Sequence, residues 1–390
     1  MAIVKKEPKI REKAAENVNK KEPKEIKTKS PHGGDDNEPE IAVAHLAPKL
    51  FLQSYHPLLF KVGLRMSAGS ITGSTQRCLS MLIAIKQMIH DHVTPENKDF
   101  ARSFQAALNS AVKFLNQCRP MSVSMVNGIA FIKSHLSKIS STVPEEVARK
   151  QMKSLVEGFM TKEIELAVKA ITKEGAKKID HDGEVILTYG NPLLVKNILL
   201  KAFMDGKNFH VIVVDAKPRM VGKDLMKCLV SRGVKTTYIQ INAIAHVMNK
   251  VTKVFLGAHA MLANGYAMAS IGSAQIALVA DSFNVPVLVC CETFKFSEKA
   301  ILDSFALSKS GPLKPQEDFF NYGNTGKSKD SKGIKSKQDE VQKKEKKVNV
   351  LSLSYDLTPP SFITMIITEK SFLPASSVSA VIRNRTHELQ

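Results

Sequence analysis

The apolar positions of this chain follow a helical period in its first half and a strand period in its second half. Between residues 57 and 176, apolar side chains recur about every three or four positions and clusters of β-branched residues are few, which predicts amphipathic helices. Arg119-Pro120 and Pro144 interrupt this pattern, and Glu145 and Glu146 would place acids in the first turn of a new helix. The sequence therefore predicts a helical domain over residues 46–180.

From Gly183 onward, short apolar runs alternate with amphipathic stretches. Runs such as VIVVD and VLVCC are typical of strands buried on both faces of a parallel sheet. The predicted strands are Glu184–Thr188, His210–Asp215, Thr236–Ile241, Lys253–Leu256, Pro286–Glu292 and Val348–Tyr355. The predicted helices are Pro192–Met204, Lys223–Ser231, Ser270–Phe283 and Ser361–Lys370. The fold class is therefore α/β, with the helical domain followed by a Rossmann-like doubly wound parallel-sheet domain over residues 181–390.

Two segments carry charge without apolar periodicity. Residues 1–45 are rich in Lys, Glu, Pro and Asn, and residues 311–347 are similarly polar. Neither segment holds enough apolar surface to offset the entropy lost when a chain becomes ordered. We expect a disordered charged tail at 1–45. We expect a flexible insert at 311–347, because strongly apolar sequence resumes after it.

The formal net charge of +19 lies mostly outside these two segments. Residues 1–45 contain ten Lys or Arg and nine Asp or Glu, and residues 327–347 contain nine and four. The rest of the chain therefore carries +13. Such a surface favours an acidic, phosphorylated or nucleic-acid partner, although a generally basic soluble surface explains the charge equally well.

The sequence gives no signal for export or membrane insertion. No apolar run reaches the roughly 18 to 20 residues that span a bilayer, and Met1 to Lys29 lacks the apolar stretch of a signal peptide. The five cysteines are odd in number and lack metal-ligand spacing. We therefore expect a cytoplasmic protein with reduced thiols and no metal site.

Candidate chemistry lies where the predicted strands end, because open parallel sheets bind ligands beyond the carboxyl ends of their strands. Gly190 and Asn191 precede a helix whose amides could hold an anion, yet turn and capping roles explain Gly190 and Gly222 at least as well. Asp215 fits helix capping as well as ligand binding, and a lone histidine such as His259 is more often a packed, hydrogen-bonded side chain. The four junctions are Thr188 to Asn191, Asp215 to Pro218, Gly257 to Ala260 and Tyr355 to Pro360.

Missing motifs exclude several classes of enzyme. No strand is followed by Gly-x-Gly-x-x-Gly, and Gly-x-x-x-x-Gly-Lys-Ser/Thr does not occur. Dinucleotide binding and phosphate-loop binding are therefore unsupported, and no cofactor is predicted. Cys290 and Cys291 lie in an apolar strand, where buried structural thiols are the expected interpretation rather than nucleophiles.

Read in order, these junctions resemble the regulatory subunits alpha, beta and delta of eukaryotic translation initiation factor 2B, from His56 to Arg383. The strings LNQCRP and VCCETFKF are most similar to the delta branch of that family. The segments that carry the resemblance are SITGSTQRCLSML (Ser70 to Leu82), FLNQCRPMSVSMVNGI (Phe114 to Ile129), GEVILTYGN (Gly183 to Asn191), VIVVDAKPRMVGKDLMKCLV (Val211 to Val230), VTKVFLGAHAMLANGYAMASIGSAQIALVA (Val251 to Ala280), NVPVLVCCETFKFSEK (Asn284 to Lys299) and SYDLTPPSFITMIITE (Ser354 to Glu369).

The same superfamily contains sugar-phosphate aldose-ketose isomerases, such as methylthioribose-1-phosphate isomerase. Their first junction resembles Thr-His-Cys-Asn with a catalytic cysteine, and their third resembles Gly-Ala-Asp with a catalytic acid. The matching positions here are Gly190 and His259, and Lys217 stands where the family has the arginine of Arg-Pro. The resemblance therefore implies no isomerase activity. It implies a vestigial pocket formed by Thr188, Gly190, Asn191, Asp215, Lys217, Gly222, His259, Asn264 and Asp356.

The resemblance also implies a function, that of a non-catalytic regulatory subunit of a guanine-nucleotide exchange complex. The alpha, beta and delta subunits would form a core on which the epsilon subunit, with gamma, exchanges GDP for GTP on initiation factor 2. The core would bind initiation factor 2 with a phosphorylated alpha subunit in an inhibitory mode. Thr75, Arg77 and Arg119 are candidate client-binding residues, because guanidinium groups suit phosphate, and their alternative role is to cap or bridge helices. No membrane and no direct nucleic-acid partner is expected.

Two other functions stay open at this stage. The first is an active sugar-phosphate isomerase, against which Gly190 and His259 are the evidence. The second is RNA binding driven by the basic charge. No RNA-recognition motif accompanies the lysine runs, and aromatic residues make up only 6% of the chain, so surfaces for base stacking are scarce.

Overall fold

A computed structural model describes residues 55–389 of the chain, except residues 141, 181, 218 and 305–352. The predictions for residues 1–45 and 311–347 therefore fall outside the described residues. Within the described part, no helix is both long enough and apolar enough to cross a membrane.

The first part of the described chain is helical, as predicted. Helix α3 ends at Cys118 and helix α5 begins at Glu145, which confirms the breaks at Arg119-Pro120 and Pro144. The Ser122 hydroxyl accepts a hydrogen bond from the backbone N–H of Met125 and so caps α4. The helices are α1 (Pro57–Ser67), α2 (Ser74–Asp91), α3 (Phe100–Cys118), α4 (Val123–Leu136) and α5 (Glu145–Phe159), which continues through a π-helical segment (Met160–Leu166) into α6 (Ala167–Lys177).

Helices α1 to α5 enclose an apolar core of their own. Phe104, Phe114 and Leu108 are fully or almost fully buried in it. Phe294, which comes from the second half of the chain, is buried in the same cluster and packs edge-on against Phe159 with 6.4 Å between ring centroids. The helical region is therefore joined to the rest of the fold by a shared core residue.

The described residues of the second part form eleven strands in two sheets. The strands are β1 (Glu184–Tyr189), β2 (Phe209–Asp215), β3 (Lys235–Gln240), β4 (Lys253–Gly257), β5 (Ala260–Leu262), β6 (Ala267–Ser270), β7 (Val287–Cys290), β8 (Phe296–Ser297), β9 (Tyr355–Thr358), β10 (Met365–Ile367) and β11 (Phe372–Leu373). The helices are α7 (Leu193–Met204), α8 (Gly222–Ser231), α9 (Ile244–Val247), α10 (Ser273–Ser282) and α11 (Val378–Leu389).

The large sheet has the strand order β11-β10-β7-β4-β1-β2-β3, and its neighbours pair in parallel except for β10 with β11. Its six parallel strands follow the doubly wound order, in which the chain starts at the centre and winds first to one edge and then to the other. Residues of α6, α7 and α8 share one core with the sheet, and residues of α9, α10 and α11 share another. The Rossmann-like fold class is confirmed. Ile171 and Ala176 of α6 belong to the sheet core, so the layer around the sheet begins before residue 181.

The small sheet has the order β8-β5-β6-β9. Strands β5 and β6 form an antiparallel hairpin, which periodicity did not predict. Gly265 in the hairpin turn has φ +80°, and a Cβ on it would come within 2.8 Å of the backbone oxygen of Ala375. A side chain at this position is therefore disfavoured by both conformation and space.

Two predicted elements near the C-terminus are wrong or displaced. The predicted helix Ser361–Lys370 is wrong, because the chain forms a short 3-10 turn (Pro360–Phe362) and then strand β10. Met365 to Ile367 pair in parallel with β7 and Ile366 and Ile367 are fully buried, so tertiary packing overrides the helical spacing. The predicted strand Val348–Tyr355 overlaps β9 only at Tyr355, and residues 348–352 lie outside the described part.

Candidate functional site

The predicted pocket lies at the switch point of the doubly wound sheet. The chain leaves β1 toward β2 on one side and leaves β4 toward β7 on the other. Gly190 directly follows β1 and His259 lies just after β4. In folds of this kind a crevice opens between those two strand ends, and ligands bind there.

The loop after β1 offers few groups for chemistry. Gly190 has φ +66°, a conformation that glycine adopts easily, and its N–H donates to the carbonyl of Val214 at 2.9 Å. Thr188 is fully buried, and its hydroxyl has no hydrogen-bond partner within the described residues. Asn191 is exposed beside Pro192, which precedes α7. The first junction therefore turns the chain and presents only Asn191 to solvent.

Asp215, at the end of β2, organises the second junction. Its Oδ1 accepts from the N–H of Ala216 at 2.9 Å, and its Oδ2 accepts from the N–H of Gly222 at 2.7 Å and from the Tyr238 hydroxyl at 2.9 Å. A Cβ on Gly222 would approach Oδ2 to 2.9 Å, so glycine is required for this contact. Asp215 therefore holds the start of α8, and both of its carboxylate oxygens accept hydrogen bonds from the protein. Lys217 is exposed in the loop between them.

Asp356 performs the same role for α10. Its Oδ2 accepts from the N–H of Gly272 at 2.7 Å and from the N–H of Ala274 at 2.9 Å, which satisfies two amides at the start of the helix. Burial raises the pKa of Asp356 to about 6, and these amide hydrogen bonds offset part of the rise. The Asp356 carboxyl is therefore a structural cap in an environment that disfavours its charge.

His259 is partly buried and packed against an aromatic ring. Its ring centroid lies 4.4 Å from that of Tyr355, and its backbone N–H donates to the carbonyl of Met268 at 2.8 Å. Burial, the largest cause, and the positive charges of Lys295, Arg77 and Arg119 together lower the pKa of His259 to about 3. His259 is therefore neutral at physiological pH and does not carry charge into the crevice.

Asn264 contacts a different loop. It lies in the turn of the β5–β6 hairpin, and its side-chain amide donates to the carbonyl of Ile301 at 3.2 Å. The structure thus brings Gly190, Asp215 and Gly222 together around the end of β2, and it gives Asn264 a separate loop contact. The nine-residue vestigial pocket stays a prediction.

The predicted client-binding residues lie mainly inside the protein. Arg77 is only 2% exposed, and its guanidinium donates to the carbonyl of Pro120. The Thr75 hydroxyl donates to Oε1 of Glu292 at 3.2 Å. Arg119 is half-buried. Arg77 is therefore out of reach of a protein partner in this structure, whereas Thr75 is half-buried like Arg119. The client-binding role of the three residues stays a prediction.

A buried charged pair that the sequence pattern did not predict lies in the segment after β7. Glu292 and Lys295 are both buried, with Nζ and Oε2 2.7 Å apart. Burial alone lowers the pKa of Lys295, but the charge of Glu292 reverses this effect and the pKa lies above its ordinary value. Two charged residues inside the apolar stretch VLVCCETFKF were the available signal.

The fold defines the class of the protein: a doubly wound α/β protein with a preceding helical region. Residues 70–375 match the model of the initiation factor 2 subunit family. The chain belongs to that family.

Individual relatives show which known proteins the chain is similar to. The chain is 37% identical over 334 residues to the translation initiation factor eIF2B subunit delta of Dictyostelium discoideum, covering 86% of this chain but 52% of the relative. It is 32% identical over 278 residues to a ribose 1,5-bisphosphate isomerase of Pyrococcus furiosus, covering 71% of this chain and 79% of that enzyme. The crystal structure of the tetrameric eIF2B-beta2-delta2 complex from C. thermophilum contains a chain with a TM-score of 0.68 and 27% identity, covering 81% of this chain and 92% of that one. The chain thus spans about half the length of the Dictyostelium delta subunit.

Proposed function

We propose that this chain is the delta regulatory subunit of an eIF2B-type guanine-nucleotide exchange complex, and that it is not itself an enzyme. It would scaffold the complex in the cytosol together with alpha, beta, gamma and epsilon subunits. It would also help the complex sense initiation factor 2 whose alpha subunit is phosphorylated. The observation that carries the proposal is the 37% identity to a delta subunit over 86% of this chain.

The geometry of the crevice supports a role without catalysis. The position that matches the isomerases' catalytic cysteine is Gly190, which has no side chain. The position that matches their catalytic acid is His259, which is neutral and lies against the Tyr355 ring. Asp215 caps α8, and Asp356 caps α10 through its Oδ2. We interpret the crevice as a vestigial pocket whose polar residues are retained for packing.

A basic surface on the helical region is the proposed contact for the phosphorylated client. Arg65 at the end of α1 and Arg102 near the start of α3 are exposed, and the side chain of Arg102 is 85% accessible. Arg119 is half-buried between α3 and α4, and Thr75 on α2 is half-buried as well, so a ligand could reach each of them in part. Guanidinium groups suit phosphate because they donate two parallel hydrogen bonds.

Affinity purification of the tagged chain from its own cells, followed by mass spectrometry, tests the assignment. We expect the other eIF2B subunits to co-elute in fixed ratios. Recovery of the chain without any of them would contradict the proposal.

Nucleotide exchange by the reconstituted complex then tests whether the surface arginines, and not the crevice, sense the phosphorylated client. We expect His259→Ala to leave exchange, and its inhibition by phosphorylated initiation factor 2, nearly unchanged. Arg65→Glu with Arg102→Glu should weaken the inhibition without lowering basal exchange. If His259→Ala relieved inhibition and the arginine variants had no effect, the crevice would be a regulatory site and our assignment of roles would be wrong.

The second candidate function, a sugar-phosphate isomerase, follows from the 32% identity to the Pyrococcus furiosus enzyme. Incubating the purified chain with ribose 1,5-bisphosphate or methylthioribose-1-phosphate decides between the two functions. We expect no turnover. Turnover that Asp215→Asn abolishes would overturn the non-catalytic assignment.

A further inference from the structure

We propose that the groove between helices α6 and α7 is a docking site for an acidic amphipathic helix of a partner protein. The groove has a volume of about 380 Å³. It lies away from the switch-point crevice, on the outer side of the layer that covers the sheet. The proposal goes beyond the proposed function, which assigns no role to this surface.

Close packing at one end of the two helices positions the groove. Gly175 of α6 faces Ile198 of α7, and a Cβ on Gly175 would come within 2.5 Å of the Ile198 side chain. Beyond this contact the helices are lined by larger residues, and an open groove runs along Val168 to Lys173 on α6 and along Asn197 to Met204 on α7. With 11 and 12 residues, both helices are about 17 Å long, so a third helix of about three turns would match them.

The floor of the groove is apolar. Val168 and Leu200 are half-buried in it, and Met204 at the end of α7 is 74% exposed. Methionine side chains are flexible and polarisable, and they are common on surfaces that bind helical peptides. An exposed apolar floor of this kind fits the apolar face of a partner helix rather than a small polar ligand.

The rims of the groove are positively charged. Lys169 and Lys173 lie one turn apart on α6, both are exposed, and neither has an ion-pair partner among the described residues. Lys201 on the α7 rim pairs with Asp205 at 2.6 Å, and Lys177 further along α6 pairs with Glu174 at 2.7 Å. Two unpaired like charges one helical turn apart repel each other, so carboxylates of a partner would relieve this repulsion.

The charge of the groove therefore indicates which kind of partner helix would bind there. A helix with Leu at about every third or fourth position would fill the floor, and Glu or Asp on its flanks would meet Lys169 and Lys173. A second copy of this chain is disfavoured, because it would bring two basic grooves face to face.

The test uses the full chain and a fluorescent peptide of about 16 residues, with Leu at positions i, i+4 and i+7 and Glu on both flanks. We expect saturable binding by fluorescence anisotropy. A peptide with Gln at each Glu position should bind at least about tenfold more weakly. Photo-crosslinks from the Leu positions should map to α6 and α7.

Charge-reversal variants on α6 and on α8 provide a test and its matched control. Lys169→Glu with Lys173→Glu should weaken binding at least about tenfold, because the rim contacts are lost. Lys223→Glu with Lys227→Glu makes the same change at the same spacing on the exposed face of α8. It should alter binding by less than about twofold, because those lysines lie outside the groove. Met204→Ser tests the apolar floor without a charge change and should also weaken binding.

Several results would overturn the proposal. They are the absence of saturable binding to the Glu peptide, equal losses in the α6 and α8 variants, and equal affinity for the Glu and Gln peptides. Sedimentation that shows a dimer of this chain dissociated by Lys169→Glu with Lys173→Glu would assign the groove to self-association instead.

Discussion

Lys295 and Glu292 form an ion pair in the interior, with 2.7 Å between Nζ and Oε2 and side chains that are only 7% and 1% exposed. The pair lies where the helical region meets the sheet, because Thr75 of α2 donates to the other carboxylate oxygen of Glu292. Asn127 of α4 donates to the carbonyls of Phe294 and Phe296 at 2.9 Å in the same segment. The segment after β7 therefore connects the two parts of the fold through buried polar contacts.

Removing one partner of this ion pair should strongly lower the free energy of unfolding. Lys295→Met leaves the Glu292 charge buried without a counterion and should lower the free energy of unfolding by about 3 to 5 kcal/mol. The double variant Glu292→Gln with Lys295→Met leaves no buried charge and should recover most of that loss. Urea unfolding of the three proteins measures both effects. Equal stability of the single and double variants would show that the pair is not coupled.

Burial raises the pKa of Asp356 from 3.8 to about 6. The free energy of unfolding should therefore depend on pH. The folded state then holds this proton between about pH 4 and pH 6 while the unfolded state releases it, so stability falls as the pH rises through that window. Relative to Asp356→Asn, the wild type should lose about 2 to 3 kcal/mol between pH 4 and pH 7. Chemical unfolding of both proteins across this range measures the difference. Parallel pH profiles would contradict the prediction.

Gly265 should tolerate substitution less well than another glycine with the same conformation. Gly69 has φ +76° and Gly265 has φ +80°, but a Cβ on Gly69 meets nothing within 4 Å, while one on Gly265 would meet the backbone of Ala375. Gly69→Ala should cost about 1 to 2 kcal/mol for its conformation alone. Gly265→Ala should cost about 1 to 3 kcal/mol more, because backbone cannot move aside as easily as a side chain. Thermal unfolding of both variants tests this, and equal losses would show that the contact relaxes freely.

The sequence predicted the sheet well where consecutive apolar residues mark strands buried on both faces. The runs ending at Thr188 and Asp215 correspond to β1 and β2, and the helices after them begin within one residue of the predicted positions. Strand β10 was missed because three residues are too few to establish a period, and its pairing with β7 comes from a segment more than 70 residues away.

The candidate site was less predictable, because its contacts are long-range. Asp215 was left open between capping and ligand binding, and only the position of Tyr238 and Gly222 around its oxygens identifies the capping role. Thr75 and Glu292 are 217 positions apart, and no local pattern connects them. The burial of Arg77 likewise follows from the packing of α2 against the loop at Pro120.

Placing at Gly190 and His259 the side chains that the resemblance to the isomerases implies should not create isomerase activity. Gly190→Cys places a side chain at φ +66°, so the loop would be strained by about 1 to 2 kcal/mol or would shift. His259→Asp places a carboxyl beside Lys295, Arg77 and Arg119, the charges that now lower the pKa of His259. Those cations favour the carboxylate while burial favours the neutral acid, so the two effects oppose each other at this position. We expect the double variant to show no turnover of ribose 1,5-bisphosphate above the wild-type background in a coupled or NMR assay. Measurable turnover in the double variant, abolished when either position is returned to wild type, would show that the crevice still holds a productive substrate geometry.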